Sequence, residues 1–487
     1  MQRPFPALVA SLTLSVLLAG CGGSSASAAP DPSAVLGASA RPANVIFFLG
    51  DGMGITTMTA ARIYKVGEAG SLTMDTLPES GFVKTYSNDA QVTDSAPSMS
   101  AYMTGVKMNN DVISMSTDTR AYTNAGGVVT SYVTSAGETS CPSGNGRAVP
   151  TLVELAKSAG MGTGVVTTAR LTHATPAATY AHLCHRDGEY EIARQAVPGG
   201  AGFNPALVDG IDVMLGGIST YWRPRDAVVA GRGRIDGRDL VAEMKAKGYA
   251  FVTSKTELNS APAGKVLGLF DQALAQGHMS YELDRDPARE PSIAEMTIKA
   301  IDLLSNNKKG YFLMVEGGRI DHALHSTNAR RALAETVAMD DAIAAAIARV
   351  DLTNTLIVVT ADHDHTLVMN GYAQRTGPTT GFSAGVLGLV KDVASGSIVT
   401  DILGFGYSIL GFGTGENRPD MRTALTDAQI SDLNYHQESV IKTGPGGETH
   451  GGADVFIGAI GKGAETISGV MENTAVFGLV KQALGLQ

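Results

Sequence analysis

The 487-residue chain is poor in cysteine, with 3, and in tryptophan, with 1; aromatic residues make up only 6%. Three cysteines allow one disulfide at most and no thiolate-rich metal site. Basic residues are also scarce: 37 Lys and Arg stand against 47 Asp and Glu, a net charge of −10. Such a balance argues against a duplex nucleic-acid binder, which usually shows a basic face. It does not exclude a phosphate ester as substrate, because metal ions can build a local positive site in an acidic protein. Beyond the amino terminus no apolar run approaches the roughly 20 residues that cross a bilayer.

Glycine, by contrast, is abundant. Its 58 residues are about 12% of the chain, against roughly 7% in ordinary usage. With no G-X-Y period this points to turns and close backbone approaches, not to collagen. A hydrophobic fraction of 44% is enough for a sizeable core. The length suits one large domain or two ordinary ones.

Residues 1–20 read as a processing segment. Arg3 is their only charge, and Ala7–Leu18 is an apolar run of signal-peptide length. The run ends Leu18-Ala19-Gly20-Cys21, which resembles a bacterial lipobox. In that reading Cys21 becomes the lipidated first residue, and loss of Arg3 takes the net charge from −10 to −11. The alternative is a plain secretory signal followed by a chance cysteine. Residues 21–43, rich in Gly, Ser, Ala and Pro, read as a flexible tether. The expected location is therefore the cell envelope, lipid-anchored and facing the periplasm or the surface. Gly22 after the cysteine favours the outer membrane. Cys141 and Cys184 are left over. In an oxidising compartment they suggest one disulfide, with two buried thiols or metal ligation as alternatives.

The folded body, 44–487, alternates strand-like and helix-like segments. Asn44–Leu49, Gly164–Thr168, Tyr311–Val315, Thr355–Thr360 and Val455–Ile460 are short apolar runs. Pro150–Ala159 and Ala329–Val350 carry helical spacing, and a helix-like stretch begins at Ser98. Continuous apolar strands separated by helices predict an α/β fold, a large mostly parallel sheet with helices on both faces. Residues 107–149 and 371–445 are weakly patterned and read as insertions. The apolar stretch 398–412 in the second suggests an interface or a local subdomain.

Ligands of open α/β sheets bind beyond the carboxyl ends of the strands. After the first strand comes Asp51. After Gly164–Thr168 come His173 and Thr175. Glu316, Asp321 and His325 follow Tyr311–Val315; Asp362 and His363 follow Thr355–Thr360. So many carboxylates at one edge would repel each other without cations. Oxygen and imidazole ligands suit Zn²⁺, Mg²⁺ or Mn²⁺. Asp321 and His325, four apart, share one helical turn. His450, in a turn before the last strand, is a candidate third ligand beside them. Ser95, in Thr93-Asp94-Ser95-Ala96-Pro97-Ser98, lies at a helix start, where free N–H groups favour an anion. The competing role for Asp94 and Ser95 is simple N-capping.

GDGMG, TDSA, THATPAATYAH, VEGGRIDHALH, TADHDH and ETHGG, in this order and spacing, resemble alkaline phosphatases from about Asn44 to the C-terminus. The resemblance implies a phosphate-monoester hydrolase with two zinc ions and one magnesium ion, broad in substrate and commonly dimeric. It implies that Asp321, His325 and His450 hold one zinc, and that Asp51, Asp362 and His363 hold the other. Asp51, Thr175 and Glu316 would take the magnesium. Ser95 would attack phosphorus through a phosphoserine intermediate, and Arg186 would clamp the phosphate. His173 stands where some members have aspartate, and His322 where some have lysine; both are expected to support the metals or the phosphate from behind. His182, His185, His365 and His436 are read as structural or supporting residues.

Three rivals are weaker. A sulfatase needs x-Pro-x-Arg after its nucleophile, and Met99 stands in the arginine's place. A diesterase of the same architecture usually carries threonine as nucleophile. A non-catalytic binding protein would be expected to have lost Ser95, Arg186 or a ligand. The anchoring reading has its own test. Cys21→Ala should move the protein from the membrane pellet to the soluble fraction and abolish incorporation of labelled palmitate; unchanged labelling would refute lipidation at Cys21.

Overall fold

A computed structural model describes residues 44–225, 233–270, 277–379 and 385–486. The signal, Cys21 and tether readings therefore lie outside the described residues. Ten strands form the central sheet: β1 Asn44–Gly50, β2 Glu79–Lys84, β3 Gly162–Arg170, β4 Val213–Gly217, β5 Ala250–Val252, β6 Val266–Phe270, β7 Tyr311–Gly317, β8 Thr355–Ala361, β9 Val455–Gly461 and β10 Gly469–Glu472. Their order across the sheet is β10-β2-β9-β8-β1-β7-β3-β4-β6-β5. Neighbours run parallel except at β9, which is antiparallel to both β8 and β2. The expected large, mostly parallel sheet is present. Strands β4, β6, β7 and β8 are buried along their whole length. That burial is why they read as unbroken apolar runs rather than as alternating ones.

Helices cover the sheet. Those that place the site are α1 Ile55–Val66, α2 Ser95–Thr104, α3 Leu152–Ser158, α4 Ile293–Leu304, α5 Arg319–His325, α6 Ala329–Arg349 and α7 Asn473–Ala483. On α6, Ala332, Leu333, Thr336, Met339, Ile343 and Ala346 are buried at helical spacing, with Ala keeping the face thin enough for close packing. Helix α2 begins three residues earlier than its apolar pattern suggested. Asp94 caps it by accepting from Ala96 N at 2.7 Å. Among the described residues, no helix is long and apolar enough to cross a membrane.

The 107–149 segment carries a two-stranded hairpin, Tyr122–Ala125 with Val128–Ser131. Its Cys141 is joined to Cys184 by a disulfide, Cα–Cα 6.0 Å. Two strands of 371–445, Leu410–Gly415 and Ser439–Lys442, pair with each other, and the first also pairs with Leu367–Met369 just ahead of that segment, making a small sheet. The apolar 398–412 stretch divides accordingly: Leu410 and Phe412 are buried in this sheet, whereas Ile402 and Leu403 are exposed.

Asn44 enters β1 at the amino edge of the sheet, paired with Tyr311 and Thr355. Register then carries the chemistry to the opposite edge. Leu49 is level with Glu316, and Gly50 with Ala361, so Asp51 and Asp362 leave their strands side by side. Because β9 runs the other way, its start lies at that same edge and brings His450 there.

A buried polar knot ties α3 to the site-bearing loops. Thr151 and Glu154 form a capping box, with Thr151 N donating to Glu154 Oε2 at 2.8 Å. Glu154 Oε1 also faces His182 Nε2 at 2.7 Å, while His182 Nδ1 faces the Ser114 carbonyl at 2.7 Å. Both ring nitrogens face acceptors, so the ring carries two protons. Burial would lower its pKa, but the Glu154 carboxylate prevails and raises it above 6.5. A raised histidine stabilises fully below its unfolded pKa, and that contribution is lost as pH rises through the folded one. The melting-temperature difference between the protein and His182→Gln should therefore be largest near about pH 6 and shrink towards about pH 9. Calorimetry at matched metal load checks this; a difference independent of pH would mean a neutral ring.

Candidate metal centre and nucleophile

Six carboxylates and imidazoles from four parts of the chain meet at the carboxyl edge. Asp321 and His325 lie one turn apart on α5, with His325 Nε2 3.3 Å from Asp321 Oδ1. His450 Nε2 is 3.2 Å from His325 Nε2 and 3.5 Å from Asp321 Oδ1. His363 Nε2 is 3.4 Å from Asp51 Oδ1 and 3.3 Å from Asp362 Oδ2. The His363 and His450 rings stack with centroids 3.5 Å apart, so the two groups share a wall.

The outward nitrogens fix the tautomers. His325 Nδ1 faces the Glu448 carbonyl at 2.5 Å, His450 Nδ1 the Thr93 carbonyl at 2.8 Å, and His363 Nδ1 the Asp364 carbonyl at 3.2 Å. Each Nδ1 carries the proton and donates it to a backbone oxygen. Each neutral ring then presents an Nε2 lone pair to the carboxylates. Nε2 atoms this close to one another and to carboxylates call for positive charge between them, a proton or a metal ion; burial lowers the His325 pKa but Asp321 prevails and raises it, and a backbone-held imidazole is a metal ligand's usual support. Buried Glu316 Oε1 and Asp362 Oδ2 have no hydrogen-bond partner. Burial, then repulsion from Asp321, pushes Asp51 up to about 7; burial, then Asp51, pushes Asp362 up to about 8. Burial and Asp51 likewise raise Glu316. The donor set thus fits divalent cations, which would relieve the repulsion.

A third group lies on the far side of Asp51. Asp51, His173 and Glu316 bring ligand atoms within 4.8 Å of one another. Thr175, on the short helix Ala174–Ala177, donates to Asp51 Oδ2 at 3.4 Å. Thr167 donates to Glu316 Oε2 at 2.5 Å. The sequence placed Thr175 as a ligand and His173 behind it; in the structure the imidazole stands among the carboxylates.

Ser95 is the first residue of α2 and is buried. Its Oγ lies 3.1 Å from His363 Nε2 and 3.3 Å from Asp51 Oδ1. The capping role expected for Asp94 is real, but it leaves the Ser95 hydroxyl free to face the cluster. Asp94 Oδ1 also accepts from Arg186 Nη1 at 2.9 Å. Arg186 Nη2 meets His173 Nε2 at 3.3 Å. The guanidinium is therefore held over the same edge.

Two supporting residues, Glu448 and His278, escaped the sequence reading. His365, read as structural or supporting, braces a carboxylate: its Nε2 is 2.8 Å from Asp321 Oδ1 and its Nδ1 2.5 Å from Glu448 Oε2. Between two carboxylates, and against its burial, it is pushed up to about 10 and is a cation. Glu448 has as its only local signal its place two residues before His450. His278 packs on the expected His322, ring centroids 3.9 Å apart, and accepts from Arg170 Nη1 at 2.7 Å. His322 itself takes an N–H from Arg319 at 3.2 Å. His185 packs edge-on against Tyr122, and His436 Nδ1 donates to the Ser326 carbonyl; both stay outside the cluster.

The GDGMG turn is glycine-rich for a steric reason. Gly52 has φ +67°, and a Cβ there would come 2.5 Å from His365 Nε2; at Gly54 it would strike the Asp364 carboxylate. Close approach leaves Gly52 N free to donate to Asp362 Oδ1 at 2.9 Å.

An open, mostly parallel sheet with carboxylates, imidazoles and a helix-start serine at one edge is the architecture of a metal-dependent α/β enzyme. The comparisons with known proteins narrow the class. The chain belongs to the alkaline phosphatase family, whose profile matches residues 42–486. It is 36% identical to the tissue-nonspecific alkaline phosphatases of mouse (462 residues) and human (463 residues), over 89% of this chain and 82% of theirs. The cod (Gadus morhua) enzyme is 35% identical, over 89% of this chain and 90% of its own. Among solved structures, Thermus thermophilus alkaline phosphatase superposes with TM-score 0.64 at 25% identity, covering 92% of each chain. A mutant of the enzyme from the Antarctic bacterium TAB5, solved with Mg bound, gives 0.62 at 24% identity, over 92% of this chain and 99% of that one. Family membership and these relatives support phosphate-monoester hydrolysis.

The steric argument at Gly52 has a measurable outcome. Gly52→Ala should displace His365 from Asp321 and weaken metal retention by about 10- to 100-fold, the usual cost of losing a ligand's support. Chelator competition followed by elemental analysis reads this; unchanged retention would show that His365 does not hold Asp321 in place.

Proposed function

We propose that the chain hydrolyses phosphate monoesters to alcohol and phosphate through a phosphoserine on Ser95, at a centre of two zinc ions and one magnesium ion. The observation that carries this reading is Ser95 Oγ at the start of α2, within 3.3 Å of both His363 Nε2 and Asp51 Oδ1. Asp321, His325 and His450 would hold one zinc, and Asp51, Asp362 and His363 the other. Asp51, Thr175 and Glu316 would hold magnesium, with His173 beside it. Nitrogen and oxygen donors without thiolates suit the first two sites, and the oxygen-rich third suits the harder ion. When bound, the ions supply charge that lowers the pKa of the nucleophile and stabilises the leaving oxygen.

The protein's own groups do the rest. In the first turn of α2 Ala96 N is taken by Asp94 and Pro97 has no N–H, so Ser95 N, at the positive end of the helix dipole, is the backbone donor left for a phosphoryl oxygen. Asp94 and His173 take one N–H each from Arg186, and its planar fork has further N–H groups for two equatorial oxygens. Ser95 Oγ forms a bond to phosphorus as the alcohol departs; water then cleaves the serine ester, releasing phosphate and restoring the hydroxyl. No element of this scheme reads the alcohol, so a broad substrate range follows. The lipobox resemblance supports a lipid-anchored envelope enzyme that scavenges phosphate, and family membership supports a homodimer.

The test is p-nitrophenyl phosphate hydrolysis at alkaline pH by residues 22–487. Activity should be lost on chelation and return with zinc, with magnesium raising it further. Ser95→Ala should lose on the order of 1,000-fold or more in rate. An inert monoester assay with metals bound, beside turnover of bis(p-nitrophenyl) phosphate, would make it a diesterase; full activity in Ser95→Ala would remove the nucleophile.

A further inference from the structure

The loop that carries Arg186 does not stand alone; the 107–149 segment grips it at four points. Ile113 and Leu183 exchange backbone hydrogen bonds, N to O at 2.9 Å and 3.0 Å. Arg186 N donates to the Asp111 carbonyl at 2.7 Å. Cys184, buried and two residues before Arg186, is bonded to Cys141 at the far end of the segment, 43 residues away in sequence. The Tyr122 ring meets the His185 ring edge-on, centroids 5.1 Å apart.

Asp111 is the hub of this grip. Its φ of +68° is a left-handed conformation that non-glycine residues adopt at a cost and keep only where surroundings enforce it. Here its N–H, its carbonyl and one carboxylate oxygen are engaged. Its N–H donates to Asp94 Oδ2, its carbonyl accepts from Arg186 N, and its Oδ2 accepts from Tyr122 Oη at 2.7 Å. Asp94 in turn holds the Arg186 guanidinium. The segment thus fixes Arg186 twice, through its backbone and through the carboxylate that aims its side chain. Nothing in this chain of contacts passes through the metal-binding residues.

We propose that the 107–149 segment, closed by the Cys141–Cys184 disulfide and centred on Asp111, is a positioning device for Arg186 that sets the affinity of the site for phosphate. The inference rests on the phosphate-clamp reading of Arg186 given above. A guanidinium free to swing forms its two oxygen contacts less often, and a misplacement of about 1 Å is enough to matter. The affected quantity is the grip on the anion, not the metal load.

The experiment is a double-mutant cycle on full-length enzyme, reading the inhibition constant of inorganic phosphate, KM and kcat, and bound zinc. Cys141→Ser with Cys184→Ser should raise the phosphate inhibition constant and KM about three- to tenfold at unchanged zinc content. Added to Arg186→Ala, the same pair should have no further effect, because the device acts only through that side chain. An unchanged inhibition constant, or an effect that multiplies with Arg186→Ala, would overturn the proposal and leave the disulfide a staple. Arg186→Ala alone leaving phosphate affinity intact would instead sink the clamp reading, and the proposal with it. Should the cysteine variant fail to fold, Tyr122→Phe, which removes only the hydroxyl on Asp111, enters the same cycle with about a twofold expectation; no change there would overturn the proposal equally.

Discussion

Buried like charge is the constraint on which the rest of this structure depends. Asp51, Asp362 and Glu316 are fully buried within a few ångströms of one another, and three imidazole lone pairs face Asp321 and its neighbours. Without counter-charge that edge of the sheet would push itself apart or take up protons. Much of the surrounding architecture can be understood as keeping these groups together in spite of it. The parallel register of β1, β7 and β8 sets the carboxylates level, β9 reverses to deliver His450, and backbone carbonyls hold each ring in the tautomer that points its lone pair inward. His365, a cation between Asp321 and Glu448, is the protein's own contribution of positive charge to the same balance.

The sheet was legible because burial on both faces writes strands as unbroken apolar runs. The chemistry was legible because acids and imidazoles follow those runs, and because Asp321 and His325 sit one helical turn apart. What the sequence could not convey are relations set only by packing across the sheet. His365 looks like its neighbour His363 in TADHDH, and only the turn at Gly52 separates a ring that faces the metals from one that braces Asp321. His278 comes from a loop without any motif and meets His322 more than forty positions on. Thr175 and His173 share one short motif, and the local pattern gives no hint which side chain enters the carboxylate group. The apolar spacing of α2 begins only at Ser98, because its first turn, Ser95 to Pro97, serves capping and chemistry; the capping pattern, not the periodicity, marks Ser95 as the helix start.

The acidic composition and the anionic substrate class are reconciled locally. Arg186 and the positive end of α2 stand beside carboxylates that would hold cations, so positive charge can be gathered at one edge of an acidic chain. Affinity for the anion would then be divided between the groups that touch it and the 107–149 segment proposed to hold Arg186. Such a division lets one be altered without the other.

The entry of the chain at Asn44 has a geometric consequence. Strand β1 runs seven residues from that point to the reactive edge, about 23 Å at ordinary strand rise. Anything attached ahead of Asn44 thus joins the body at the amino edge, with the full length of the strand between that point and the groups that meet the anion. At such a point of attachment a charge stands more than two screening lengths, roughly 8 Å each at physiological ionic strength, from the reactive edge.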